Sequence, residues 1–367
     1  MKSIYNKNKA KKFFFIIILL MIFFLILLIN NNKYSNKLYK KKRVGIVGLA
    51  HSNNIGNNLV KFSIYTKLKE FGFNSEIIGF PLKNSNLYFL KKYVQLKSLI
   101  ANYSELNEKN YDYLIVNSDQ TWNGNCINRI LNYGFLKFAK NWKTKRFVYG
   151  ASLGHDYWRF DKIFDKKAKL LLKDFSGISV REKNAVKLVQ DHLGIKPEYV
   201  LDPTMLIDKN YYLDLIKDFK LKFNYKNKYL CVYKLDKNSK LEKFIKRISE
   251  EFNYKIYQNN FHNKNYIENF IFSINISEAV ITDSFHGTIF SIIFNKSFIT
   301  FINSHRGRGR FTSLIETFHL EDRIIDSNKN FNIDINLIKR PLNLNQTLIS
   351  SLRNNSINFL KKNLEII

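Results

Sequence analysis

Short apolar runs recur along this chain, each closing on a polar or small-residue loop and most leading into a stretch of helical periodicity. That alternation limits the fold more than any other feature. Val44-Gly-Ile-Val-Gly-Leu, Ser75-Glu-Ile-Ile-Gly-Phe, Tyr113-Leu-Ile-Val, Arg146-Phe-Val-Tyr and Gly177-Ile-Ser-Val form a first series. Tyr229-Leu-Cys-Val-Tyr, Lys255-Ile-Tyr, Ala279-Val-Ile-Thr and Phe298-Ile-Thr-Phe form a second. Helical stretches are expected at 59–71, 211–223, 239–252, around 266–275 and 287–294, with a terminal helix at 345–363 that fits across either half. Short strands alternating with helices imply βαβ units and a parallel sheet. The expected class is α/β: two Rossmann-like domains, 43–206 and 207–330, facing across a cleft, and then a tail, 331–367. Ligands of open parallel sheets bind at the carboxyl ends of the strands, so the loops after the strands hold the information about function.

A length of 367 residues suits two domains of about 150 residues each. The net charge of +30 invites a nucleic-acid reading. However, eleven Lys or Arg and no acid fall within residues 1–43, and the rest are spread without a dense basic run or a reader motif. Basic residues beside anionic lipid explain the charge better, and no nucleic-acid partner is expected. Phe13–Ile29 is an uninterrupted apolar run of seventeen residues flanked by lysines, at the short end of the roughly 17–25 that span a bilayer. It reads as an N-terminal transmembrane anchor within a leader of residues 1–42. A cleaved signal peptide is the rival, but no small-x-small cleavage site follows the run. Charge on the two flanks nearly balances, so orientation is not legible. Two distant cysteines, Cys126 and Cys231, and seven scattered histidines lack ligand spacing, and no metal site is expected.

Asp283-Ser-Phe-His-Gly-Thr lies between a strand and an apolar helix. Ser284, His286 and Thr288 thus stand at a helix N-terminus, where free N–H groups and the dipole favour an anion. A histidine there can exchange a proton near neutrality, and Gly287 would allow close approach to the backbone. The same residues also fit an Asp/Ser cap with a packing histidine. Asn117-Ser-Asp-Gln-Thr-Trp-Asn is either a ligand shelf or an Asx-type turn over Trp122. Tyr149-Gly-Ala-Ser-Leu-Gly-His permits tight packing or ligand approach. In Ser179-Val-Arg-Glu, Arg181 suits a bidentate grip on a carboxylate or phosphate, or a surface ion pair. Arg306-Gly-Arg-Gly-Arg-Phe reads as a mobile basic loop over an anionic site or as a solvated loop. Asn53, Asn54 and Gly56 could cradle a ligand, although no GxGxxG or Walker pattern is present.

Taken in order, these loops resemble the polysaccharide pyruvyl transferase family over nearly all of 43–325. The matching stretches are Asn54-Ile-Gly-Asn, Tyr111 to Asn123, Tyr149-Gly-Ala-Ser-Leu-Gly, Ile178-Ser-Val-Arg-Glu, Val200-Leu-Asp-Pro-Thr-Met-Leu, Ala279 to Thr288, and Arg306–Phe311 with Ser313-Leu-Ile. Asn117 departs from the glycine usual before Ser-Asp-Gln. The resemblance implies a GT-B-like fold with Leu201–Leu206 near the domain junction. It implies transfer of the enolpyruvyl unit of phosphoenolpyruvate to a sugar hydroxyl of an envelope or extracellular polysaccharide, or of its precursor, leaving a pyruvate ketal. The family's motif histidine falls on His286, as proton donor, and its motif arginine on Arg181, as anion clamp. Asn54, Gly56, Ser118, Asp119, Gln120, Ser152, Asp283, Ser284, Gly287, Thr288 and Arg310 complete the expected substrate site. No cofactor is implied beyond the donor substrate. The implied partner is a glycan or lipid-linked glycan acceptor. The anchor, which is not general in the family, adds the cytoplasmic membrane, with the catalytic body expected on the cytoplasmic side, where phosphoenolpyruvate is available. The rival functions are glycosyl transfer from a nucleotide sugar on the same architecture and non-catalytic glycan binding.

Overall fold

The computed structural model describes residues 21, 41–49, 53–79, 87–96, 103–124, 126–219, 226–258, 264–302, 307–326 and 333–366. Apart from Met21, the anchor expected at Phe13–Ile29 lies outside these residues. No helix among the described residues is long and apolar enough to cross a membrane. Arg43–Ile367 is one compact unit, and it contains two parallel sheets.

The first sheet holds β1 (Arg43–Val47), β2 (Asn74–Ile78), β3 (Tyr113–Val116), β4 (Lys145–Ala151), β5 (Phe175–Val180) and β6 (Glu198–Tyr199), in the order β2-β1-β3-β4-β5-β6. The second holds β7 (Tyr229–Tyr233), β8 (Lys255–Gln258), β9 (Ala279–Thr282), β10 (Ser297–Ile302) and β11 (Ile324–Asp326), in the order β11-β10-β9-β7-β8. Every pairing is parallel. Central strands such as β3 and β9 are buried at every residue, because helices cover both faces of such a sheet. Strand order reverses between β1 and β3 and again between β7 and β9. Those two switch points are where ligands enter doubly wound sheets.

The helices are α1 (Ile55–Glu70), α2 (Tyr88–Tyr93), α3 (Ile127–Gly134), α4 (Lys162–Leu172), α5 (Lys183–Leu193), α6 (Lys209–Ile216), α7 (Ser239–Phe252), α8 (Tyr266–Ile276), α9 (Phe285–Ile293), α10 (Arg308–Phe318) and α11 (Gln346–Asn363). Asn54 starts α1 by accepting the Asn57 N–H at 2.9 Å, and the chain leaves the helix through Gly72 at φ +84°. In α9 every residue from Phe285 to Ile292 is buried, the polar His286, Thr288 and Ser291 included. Residues of α1, α8 and α9 join one core with Ile46 and Ile115 of the first sheet and Val280 and Phe298 of the second. A single such contact is substantial: truncating a fully buried phenylalanine such as Phe290 costs about 3–5 kcal/mol.

The terminal helix returns to the first sheet. Phe359 packs against Phe147 and Tyr149 at ring separations of 6.3 and 6.1 Å. The Leu201 N–H donates to Ser356 at 2.9 Å, and the Tyr113 hydroxyl to the Leu364 carbonyl at 3.0 Å. The expected basic loop at 306–311 is corrected. Gly307, at φ +82°, caps a helix that begins at Arg308, so Arg310 sits in a helical first turn. Arg306 lies outside the described residues.

Candidate active site

The two switch points open onto a cavity of about 620 Å³. Leu49 follows β1, and Asp119 and Gln120 follow β3; Leu235 follows β7, and Asp283 and Ser284 follow β9. Asn54, Gly56 and Asn57 add the first turn of α1, and His286 that of α9. Arg310 from α10, His155 beyond β4, and Cys126, Arg129, Ile130 and Tyr133 around α3 complete most of the wall.

His286 is 6% exposed. Ser284 caps its helix, accepting from the Gly287 N–H at 3.3 Å. The Nε2 atom is buried without a hydrogen-bond partner, 3.7 Å from Asp202 Oδ2. The other ring nitrogen, Nδ1, faces Gly56, where a Cβ would lie only 1.9 Å away. Gly56, itself part of the cavity wall, leaves room for an imidazole from the other sheet's helix.

Arg181 stands between the end of β5 and the start of α5, as expected. It is fully buried beneath the cavity, and three acids meet it. Nη1 donates to Asp202 at 2.5 Å, Nη2 donates to Asp119 at 3.1 Å, and Nε is 3.5 Å from Glu182. Burial by itself would raise the Asp202 carboxyl, but Arg181 and then His286 hold it well below the usual carboxylate range. Asp119 is likewise lowered: burial opposes ionisation, and Arg181, His286, Arg310 and Asn57 outweigh it. Glu182 goes the other way, raised by burial despite Arg181.

Asp119 carries the strain of the site. Its φ of +83° is unusual for a side-chain-bearing residue. Its carbonyl accepts the N–H groups of Thr121 at 2.6 Å and Ser152 at 3.1 Å. Its carboxylate accepts from Arg181 and, at 3.3 Å, from Asn57 Nδ2.

Arg310 supplies a partly buried cation to the cavity. Its guanidinium lies 5.0 Å from the Phe285 ring centre, and that of Arg181 lies 4.9 Å from the same ring. Burial, followed by the like charge of Arg181, pulls Arg310 down to about 10, so it stays charged at neutral pH. The Gln120 amide is 3.0 and 3.2 Å from its two terminal nitrogens. Arg181 is matched by three carboxylates, so Arg310 is the guanidinium of this pair that can meet an anion in the cavity.

Several expected site residues serve the scaffold. Ser118 donates to the Gly150 carbonyl at 2.6 Å below the cavity, and Ser152 is fully buried. A Cβ on Gly287 would stand 2.3 Å from Thr282 Oγ1, so this glycine brings α9 onto β9 and offers no ligand approach. Thr288 bonds the Ser284 carbonyl at 3.0 Å and Thr300 at 2.8 Å. Asp283 lines the cavity but spends both oxygens on the turn after β7, at 2.7 and 2.9 Å from Leu235 N and Asp236 N. Asp202, Lys61, Arg129 and His155 were not singled out from sequence. The motifs containing Asp202 and His155 were visible, and position within them was the available signal.

Comparison with known proteins follows this geometry. The family model described as polysaccharide pyruvyl transferase matches residues 54–305. No curated protein matches the chain. Among solved structures, a UDP-GlcNAc 2-epimerase from Neisseria meningitidis bound to UDP-GlcNAc is similar, with a TM-score of 0.53 and 9% identity over 87% of this chain and 100% of that one. A putative UDP-N-acetylglucosamine 2-epimerase from Listeria monocytogenes gives a TM-score of 0.51 and 13% identity over 89% and 98%. At such identities the likeness concerns the fold alone: two parallel-sheet α/β domains of GT-B-like form.

Proposed function

This chain belongs to the polysaccharide pyruvyl transferase family, and on that premise we propose that it transfers the enolpyruvyl unit of phosphoenolpyruvate to sugar hydroxyls, forming a pyruvate ketal. The observation that carries the reading is the meeting of His286 and Arg310 on one cavity at both switch points. The donor's difficulty is its methylene carbon, which must gain a proton before C2 becomes electrophilic. His286, which lines the cavity, would supply that proton from its imidazole. The Asp202 carboxylate would steady the imidazolium. One sugar hydroxyl then adds at C2, phosphate leaves, and a second hydroxyl closes the ketal, each hydroxyl giving up its proton.

Arg310 is the proposed anion holder, with Arg129 at the rim. Arg181 is reassigned to supporting Asp119 and Asp202, because its terminal nitrogens are already committed. The helix N-terminus at Ser284 adds its dipole to the donor's side. The proposed acceptor is a polysaccharide or its lipid-linked precursor. Residues 1–42 would tether the protein to the membrane, with the catalytic unit in the compartment that supplies phosphoenolpyruvate.

A donor screen tests the reading. Phosphate release from phosphoenolpyruvate that depends on a glycan acceptor supports it. Nucleotide release from an activated sugar, with phosphoenolpyruvate inert, rejects it in favour of glycosyl transfer.

A further inference from the structure

Lysine is among the residues least often fully buried, yet Lys61 in α1 is 1% exposed. Its Nζ donates to Asn57 Oδ1 at 2.6 Å, and Asn57 Nδ2 donates to Asp119 Oδ2 at 3.3 Å. An ammonium group only donates hydrogen bonds. It therefore fixes the Asn57 carboxamide with its oxygen toward Lys61 and its NH2 toward Asp119. Turned over, the amide would set its oxygen against the carboxylate. We infer that Lys61 is a positioning residue of the transfer site, holding Asp119 through Asn57 without touching the substrate. The inference rests on the proposed transfer reaction for its kinetic consequence, but its geometry does not. Burial pulls the amine down to about 7, and Asp119 is the charged group that partly offsets this. The relay then continues from Asp119 through Arg181 and Asp202 to within 3.7 Å of His286.

The test is a double-mutant cycle on the full chain with Lys61→Met, Asn57→Ala and both together. Each protein is assayed with phosphoenolpyruvate and melted between pH 6 and pH 10. A relay predicts that each single substitution lowers kcat by about tenfold with a KM change under about threefold, and that the double falls no further. Losses that multiply would overturn it. If the wild type does not turn over phosphoenolpyruvate, the donor assignment fails and the melts still decide the relay. Non-additive melting shifts are expected from one shared hydrogen bond. The folded amine releases its proton near 7 while the unfolded one keeps it until 10.5. Wild type should therefore gain stability over Lys61→Met as pH rises between those values. Additive shifts with a pH-independent difference would overturn the inference.

Discussion

A Cβ placed on Gly56 would lie 1.9 Å from Nδ1 of His286, so the first turns of α1 and α9 meet with no room for a methyl group. The proposed proton donor is thus set by a glycine from the other sheet's helix layer. Gly56→Ala must push the imidazole away, and a displacement of about 1 Å costs on the order of 10²-fold in rate. Gly48→Ala is the control, since its nearest neighbour would stand at an ordinary 3.6 Å. We expect kcat to fall at least about tenfold in the first and to stay near wild type in the second, as measured by steady-state kinetics.

Arg181 and Arg310 should separate cleanly. Arg181→Met leaves Asp119, Asp202 and Glu182 buried without their cation, and breaking such a network costs about 3–5 kcal/mol. It should appear mainly as a lower melting temperature. Arg310→Met removes charge-assisted bonds made to a bound anion, each about 1.5–3 kcal/mol. It should raise the donor KM by roughly ten- to a hundredfold with little change in melting. Thermal melts and donor titrations on both variants check the contrast; a stable Arg181→Met with a weakened donor would restore Arg181 as the clamp.

Acid should weaken the native state through the same carboxylates. Asp119 and Asp202 are held below their ordinary 3.8 when folded. The unfolded chain therefore binds more protons in that window, and stability rises with pH there. Their contribution is complete above about pH 4–5 and is lost as pH falls through the folded values. Asp202→Asn should lower melting at pH 6 and flatten its decline between pH 4 and pH 2. An unchanged slope would mean that Asp202 is not ion-paired in solution.

The strands were legible because a parallel strand covered on both faces reads as an unbroken apolar run, as in Tyr113–Val116 and Ala279–Thr282. The cap at Ser284 was legible from local pattern. What failed to show was convergence. Nothing local to Arg181 reveals that Asp119 and Asp202 close on it from separate loops. Its fork therefore looked available to a donor. Lys61 is one of 60 Lys and Arg, and only the fold distinguishes a buried amine from a solvated one. Gly56 and Gly287 were read as places of close ligand approach; Gly56 lines the cavity and also makes room for His286, and Gly287 makes room for Thr282. In both cases the sequence marks a close approach but not what approaches.

The central claim is that His286 delivers a proton to the donor's methylene carbon, and the product's isotope content tests it most directly. The reaction would be run in D2O with phosphoenolpyruvate and a glycan acceptor, using wild type and His286→Ala, with rates and product masses recorded. The account predicts a ketal whose methyl group carries one deuterium. It also predicts a His286→Ala rate lower by about 10²–10⁴-fold with nearly unchanged melting. A variant that keeps more than about a tenth of the wild-type rate, or a product lacking the deuterated pyruvyl group, would contradict it.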